Sequence, residues 1–138
     1  MARTTRSMQL IDTNIASELL RPRPNAGVLR WAKTQREFAI AAISVDESIF
    51  GLVRRGNAAL LAAYEIFLQT RCTILPLDED IARRAGRLRG DFSLRGIVRS
   101  QTDMVIAATA QAHGLTLVTR NVRDFDACGI GLLNPFTE

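Results

Sequence analysis

Apolar residues in this chain fall into short runs separated by longer mixed segments. Residues 8–11, 38–43, 72–75, 116–119 and 130–133 are runs of four to six residues, the length of buried strands. Between them lie segments with helical character: 15–20, 25–35, 44–55, 58–70, 78–89 and 102–113. Pro22 and Pro24 stop the first, and Asn25 can cap the second. Gly56-Asn57 separates the third from the fourth. Gly90 closes the fifth, and residues 91–101, with Gly96, read as a loop. Gly114 ends the sixth, and residues 122–125 suit one helical turn. Strands alternating with helices predict a parallel α/β sheet. The length of 138 residues suits one domain with a sizeable core, residues 1–7 forming a flexible N-terminal extension. No repeat, linker or low-complexity tract interrupts it.

One helix departs from the amphipathic pattern. Met104, Val105, Ile106, Ala107, Ala108, Ala110 and Ala112 leave the 102–113 segment almost no polar face. A helix apolar all round is buried on more than one side. Its only acid, Asp103, lies in the first turn, where backbone N–H groups stabilise a carboxylate.

Asp103 is one of four acids placed where a buried segment changes type. The others are Asp12 after the first strand, Glu47 in Ser44-Val45-Asp46-Glu47, and Asp124 after the turn that follows Thr119. Each has a structural alternative. Asp12 can cap the next helix, with Thr13 and Asn14 as rival caps. Ser44 and Glu47 fit a capping box, and Asp46 stands beside them. Ser100, Thr102 and Asp103 can all serve a helix start, and Asp126 lies close to Asp124. An acid beside apolar sequence is costly without a partner, and these four have no obvious cationic partner close in sequence. A shared Mg²⁺ or Mn²⁺ is the economical candidate, because hard cations prefer oxygen ligands.

Composition narrows the classes. No apolar run is long enough to cross a bilayer, and the N-terminal stretch does not read as a secretory signal. Cys72 and Cys128 are far apart and lack CxxC spacing, which argues against a disulfide framework or thiolate zinc site and makes the cytoplasm the expected compartment. His113, the only histidine, stands at a helix end, so Ser-His-Asp chemistry and histidine-based zinc have no support. Phosphate loops of the GxxxxGK[ST] or GxGxxG kind are absent. Net charge is +4, and of 18 basic residues only Lys33 is a lysine. Arginine grips phosphate and stacks on bases, so nucleic acid is one reading and arginine-rich codon usage the other. Glu79 with Arg83 and Asp80 with Arg84 are spaced for helical ion pairs, which makes that cluster first a solvated face.

Taken together, several segments resemble the PIN-domain ribonucleases of the VapC type, the toxins of bacterial toxin–antitoxin pairs. They are Leu10-Ile11-Asp12-Thr13-Asn14-Ile15, Ser44-Val45-Asp46-Glu47 with Gly51 after it, Asp103-Met104-Val105-Ile106-Ala107-Ala108-Thr109-Ala110 with His113-Gly114-Leu115, and Val118-Thr119-Arg120-Asn121-Val122-Arg123-Asp124-Phe125. Leu133-Asn134-Pro135-Phe136 resembles the usual ending of that family. The likeness runs from Met8 onward, and residues 95–101 are not aligned with it.

The resemblance implies a three-layer α/β/α fold with a mostly parallel central sheet. It implies that Asp12, Glu47, Asp103 and Asp124 converge on Mg²⁺ or Mn²⁺, with Thr13, Asn14, Thr119 and Asn121 in support. It implies RNA as substrate, a homodimer, a cognate antitoxin protein and promoter DNA bound only through the antitoxin complex, with no membrane partner. A non-catalytic nucleic-acid-binding module, with its acids only capping helices, is the alternative. A receiver-like signalling domain needs a lysine after a late strand, and Lys33 lies in an early helix.

Overall fold

The structure is a computed structural model and describes residues 8–137; the extension expected over 1–7 lies outside them. Five short strands form one all-parallel sheet, in the order β3-β2-β1-β4-β5. They are β1 (Leu10–Ile11), β2 (Phe38–Ala41), β3 (Cys72–Leu75), β4 (Leu117–Val118) and β5 (Leu132–Leu133). Six helices connect them: α1 (Thr13–Leu19), α2 (Ala26–Ala32), α3 (Ala42–Arg54), α4 (Ala58–Arg71), α5 (Glu79–Leu94) and α6 (Gln101–His113). A 3-10 turn, Val122–Phe125, links β4 to β5. Register places Leu10 beside Ala39 and Leu117, and Ile11 beside Ile40 and Val118.

That register sorts the strand residues between two cores, because successive side chains point to opposite faces. Leu10, Ala39, Ala41 and Leu117 pack with α5 and α6 through Ile81, Phe92, Met104 and Ile106. Ile11, Phe38, Ile40 and Val118 pack with α1, α2 and α4 through Ile15, Ala32, Tyr64 and Phe67. The expected α/β/α layering is therefore present. α6 is buried from Met104 to Ala110, as its all-apolar sequence requires.

Several expected boundaries move, and two of the shifts change the packing or the site. The run 38–43 is not all strand: β2 ends at Ala41 and α3 starts at once with Ala42. A continuous apolar run carries no signal separating a buried strand from a buried helical turn. α5 does not close at Gly90. It continues through residues 91–94, read above as loop, and ends before Gly96, whose φ is +75°. Glycine inside a helix costs only about 1 kcal/mol. Fully burying Phe92 returns roughly 1.5–3 kcal/mol, which draws the last turn into the core.

The end of the described chain is tied back to α2. Asn25 caps α2 by accepting from the Gly27 and Val28 N–H groups, and its amide donates to the Thr137 carbonyl at 2.7 Å. Gly27 has no room for a side chain, since a Cβ there would run into the Pro135 carbonyl. This clasp positions Phe136 against the second core.

Candidate active site

Asp12 directly follows β1 and Thr119 directly follows β4, so neighbouring parallel strands deliver both side chains at the same end of the sheet. Between β1 and β4 the strand order reverses direction, which is where open α/β sheets leave a crevice. Asp12 is 6% exposed. The Thr119 hydroxyl donates to its Oδ2 at 2.8 Å, and the Asn14 amide donates to the same oxygen at 3.3 Å. The Thr13 backbone N–H donates to Oδ1 at 2.7 Å. Asp12 is thus both the cap of α1 and the centre of this frame. The frame continues outward, with the Asn121 N–H donating to Thr119 Oγ1 and the Arg120 N–H to Asn14 Oδ1.

The capping box expected for Glu47 does not form. α3 starts at Ala42 with Ala41 at its cap, which places Ser44 inside the helix. Glu47 is therefore not engaged at a helix start; it accepts from the Thr13 hydroxyl at 3.2 Å. Asp46 points elsewhere and does not line the cavity described below. Asp103 is likewise free of capping duty, because Ser100 caps α6 and accepts from the Asp103 N–H at 3.0 Å. Asp124 lies exposed in the 3-10 turn, outside the cavity wall.

Charge links the acids that hydrogen bonds leave apart. Burial raises the Asp103 pKa above 3.8, Ser100 opposes the rise, and Asp12, Asp124 and Glu47 add to it. Burial raises Asp12 as well, against Thr119 and Thr13, with Asp124 again pushing upward. A carboxyl whose pKa is higher folded than unfolded keeps protons that the unfolded chain releases. The contribution of Asp12 and Asp103 to metal-free stability therefore falls as pH rises from just below 3.8 through their folded values. Replacing Thr119 by the isosteric valine removes the strongest support of Asp12 and should lower stability by about 1–3 kcal/mol, read as a shift in the urea midpoint.

Three residues here were not singled out from sequence. Glu18, 8% exposed, accepts from the Asn25 N–H at 2.7 Å and from Arg21 at 3.4 Å. Its position one helical turn after Asn14 was the available signal. Arg99, from the unaligned stretch, donates to the carbonyls of Asp124 at 2.7 Å and Asp126 at 3.0 Å, and so fixes the turn that carries Asp124. Arg55, eight residues after Glu47 and at the cap that ends α3, also lines the cavity.

That cavity encloses about 690 Å³. Asp12, Thr13, Asn14, Glu47, Asp103 and Asn121 line one part of it. Its donors are oxygens, Asp12 is buried and Asp103 half-buried, and the charge of Asp12 adds to the rise in the Asp103 pKa that burial begins, which is chemistry that suits a hard divalent cation. Among the described residues, no three Asp, Glu, His or Cys side chains are gathered closely enough to enclose a metal ion.

The sequence pattern of the PIN domain matches residues 10–129. The chain belongs to the PIN-domain family. A VapC ribonuclease, Y4jK of Sinorhizobium fredii, is 34% identical over 94% of this chain and 98% of its own. The crystal structure of FitAcB from Neisseria gonorrhoeae superposes with a TM-score of 0.79 at 33% identity, covering 93% of this chain and 98% of that one. A toxin–antitoxin complex from Klebsiella pneumoniae superposes at 0.74 with 29% identity, covering 94% and 99%. No helix among the described residues is long and apolar enough to cross a membrane.

Proposed function

We propose that this protein is a Mg²⁺- or Mn²⁺-dependent endoribonuclease, the toxin of a toxin–antitoxin pair, working in the cytoplasm. The observation that carries this reading is the convergence of Asp12, Glu47 and Asp103, from three distant segments, on one cavity at the reversal point of the sheet. Asp12 and Asp103 would hold the metal directly. When bound, the ion polarises a phosphoryl oxygen and lowers the pKa of water. Glu47 orients and deprotonates the attacking water. Asp124, with Asn121, holds further water at the margin of the site. Thr119, Thr13 and Asn14 hold the Asp12 carboxylate in one orientation. No covalent intermediate on the protein is needed.

The partners follow from the same reading. The substrate is RNA, and a cognate antitoxin covers the cavity. Two copies pair as a homodimer. Promoter DNA is reached only through the antitoxin complex. The test is cleavage of RNA by the purified protein with Mg²⁺ or Mn²⁺ and with EDTA: cutting only with metal supports the reading, and no cutting in any metal removes it. Metal should also stabilise the fold. A ligand present at about 100 times its Kd adds about 2.7 kcal/mol, so the melting temperature should rise with millimolar Mg²⁺ and return with EDTA.

A further inference from the structure

The cavity is much larger than an ion needs, since a water molecule occupies about 30 Å³ and small-molecule sites run from roughly 300 to 1,000 Å³. Its excess follows α3. Glu47, Ser48, Gly51, Leu52 and Arg55 line it, at spacings that share one helical face. From Glu47 to Arg55 this face extends about 12 Å along the helix axis, at 1.5 Å per residue. Leu60 and Tyr64 of α4 close the opposite side.

Features of this arm point to a ligand with a flat apolar face and a negative charge. Tyr64 is 1% exposed, and the Ser48 hydroxyl lies within hydrogen-bond reach of the Tyr64 hydroxyl. Gly51 opens the floor, since a Cβ built there meets nothing within 4 Å. Arg55 stands at the far end with no carboxylate partner among the described residues. Leu52 and Leu60 supply apolar walls between hydroxyls and guanidinium.

We propose that the α3–α4 arm is a nucleotide subsite beside the acids. The base of the nucleotide next to the cut phosphate lies between Leu52 and Leu60, over Gly51. Arg55 grips the following phosphate. The arm thereby holds the strand in register with Asp12 and Asp103, and it sets which base precedes or follows the cut. The choice of RNA as its ligand rests on the nuclease reading above.

The experiment measures binding of a fluorescein-labelled single-stranded RNA oligonucleotide to Asp103→Asn protein in Mg²⁺, where turnover does not interfere. Adding Gly51→Leu fills the arm and should weaken binding by about tenfold without changing its salt dependence. Adding Arg55→Ala should weaken binding and reduce the slope of log Kd against log salt by about 0.7, the loss of one phosphate contact on a single strand. Arg84→Ala, in an exposed ion pair on α5, should leave affinity unchanged. Melting curves establish that each variant is folded. Unchanged affinity in both Gly51→Leu and Arg55→Ala would overturn the subsite and leave the arm to the antitoxin. Absence of measurable binding by the Asp103→Asn protein itself would overturn it equally. Cleavage by the wild type is scored separately: an inactive wild type whose RNA binding still shows these losses removes the nuclease reading and keeps the subsite.

Discussion

Asp103→Asn should fold and should lose RNA cleavage by at least about a thousandfold, a change of about 4 kcal/mol in transition-state stabilisation. The substitution keeps shape and removes charge. Ser100 caps α6 through the Asp103 backbone N–H, which asparagine retains. The helix behind it is buried from Met104 to Ala110 and does not depend on the carboxylate. What disappears is one of the two charges proposed to hold the cation. The same change relieves repulsion, since Asp12, Asp124 and Glu47 all raise the pKa of Asp103. At neutral pH without metal, the variant should therefore melt above the wild type. With Mg²⁺ the order should narrow or reverse, because the variant gains less from the ion. Cleavage of a defined RNA and paired melting curves, with and without EDTA, read both effects. Equal cleavage by variant and wild type would remove Asp103 from the mechanism.

Phe92→Ala should cost about 3–5 kcal/mol of stability, the usual range for deleting a buried aromatic ring. Phe92 is 1% exposed and belongs to the core between the sheet, α5 and α6. Its outer face is covered by two guanidinium groups, Arg95 at 4.7 Å and Arg99 at 4.1 Å from the ring centre. Removing the ring also unseats Arg99, whose bonds to the Asp124 and Asp126 carbonyls hold the turn beside the acids. The urea midpoint should fall with little change in slope, and residual activity of the folded fraction should fall with it. Leu94→Ala, at a side chain 88% exposed two residues on, should move neither. A Phe92→Ala midpoint within error of the wild type would show that the ring is not part of the core.

Why one of these positions was visible in sequence and the other was not has a physical explanation. Asp103 stands out because a lone acid opens a helix with no other polar face, a contrast that sequence displays directly. Phe92 sits in a segment whose two glycines and mixed polarity argue for a loop, and only the tertiary burial of its ring overrides that local preference. The five strands were legible because each is a short apolar run, but their edges were not. Parallel strands are buried on both faces, so the flanking apolar residues carry no boundary. Ser44 shows the same limit at the site. The capping-box pattern is present in sequence, but α3 begins two residues earlier, and this releases Glu47. Arg99 was invisible for a different reason. Its partners are backbone carbonyls more than twenty residues away, which leave no mark on residue type.

The order of strands has a consequence during synthesis. β1 emerges first but stands third in the sheet, and its neighbour β4 is among the last segments translated. Thr119, which steadies Asp12, arrives with β4, and the turn carrying Asp124 arrives later still. A nascent polypeptide cannot assemble the complete centre before residues 117–125 have been made. Until β4 joins the sheet, Asp12 lacks the hydroxyl that steadies it, and the elements translated earlier are already open to an inhibitor.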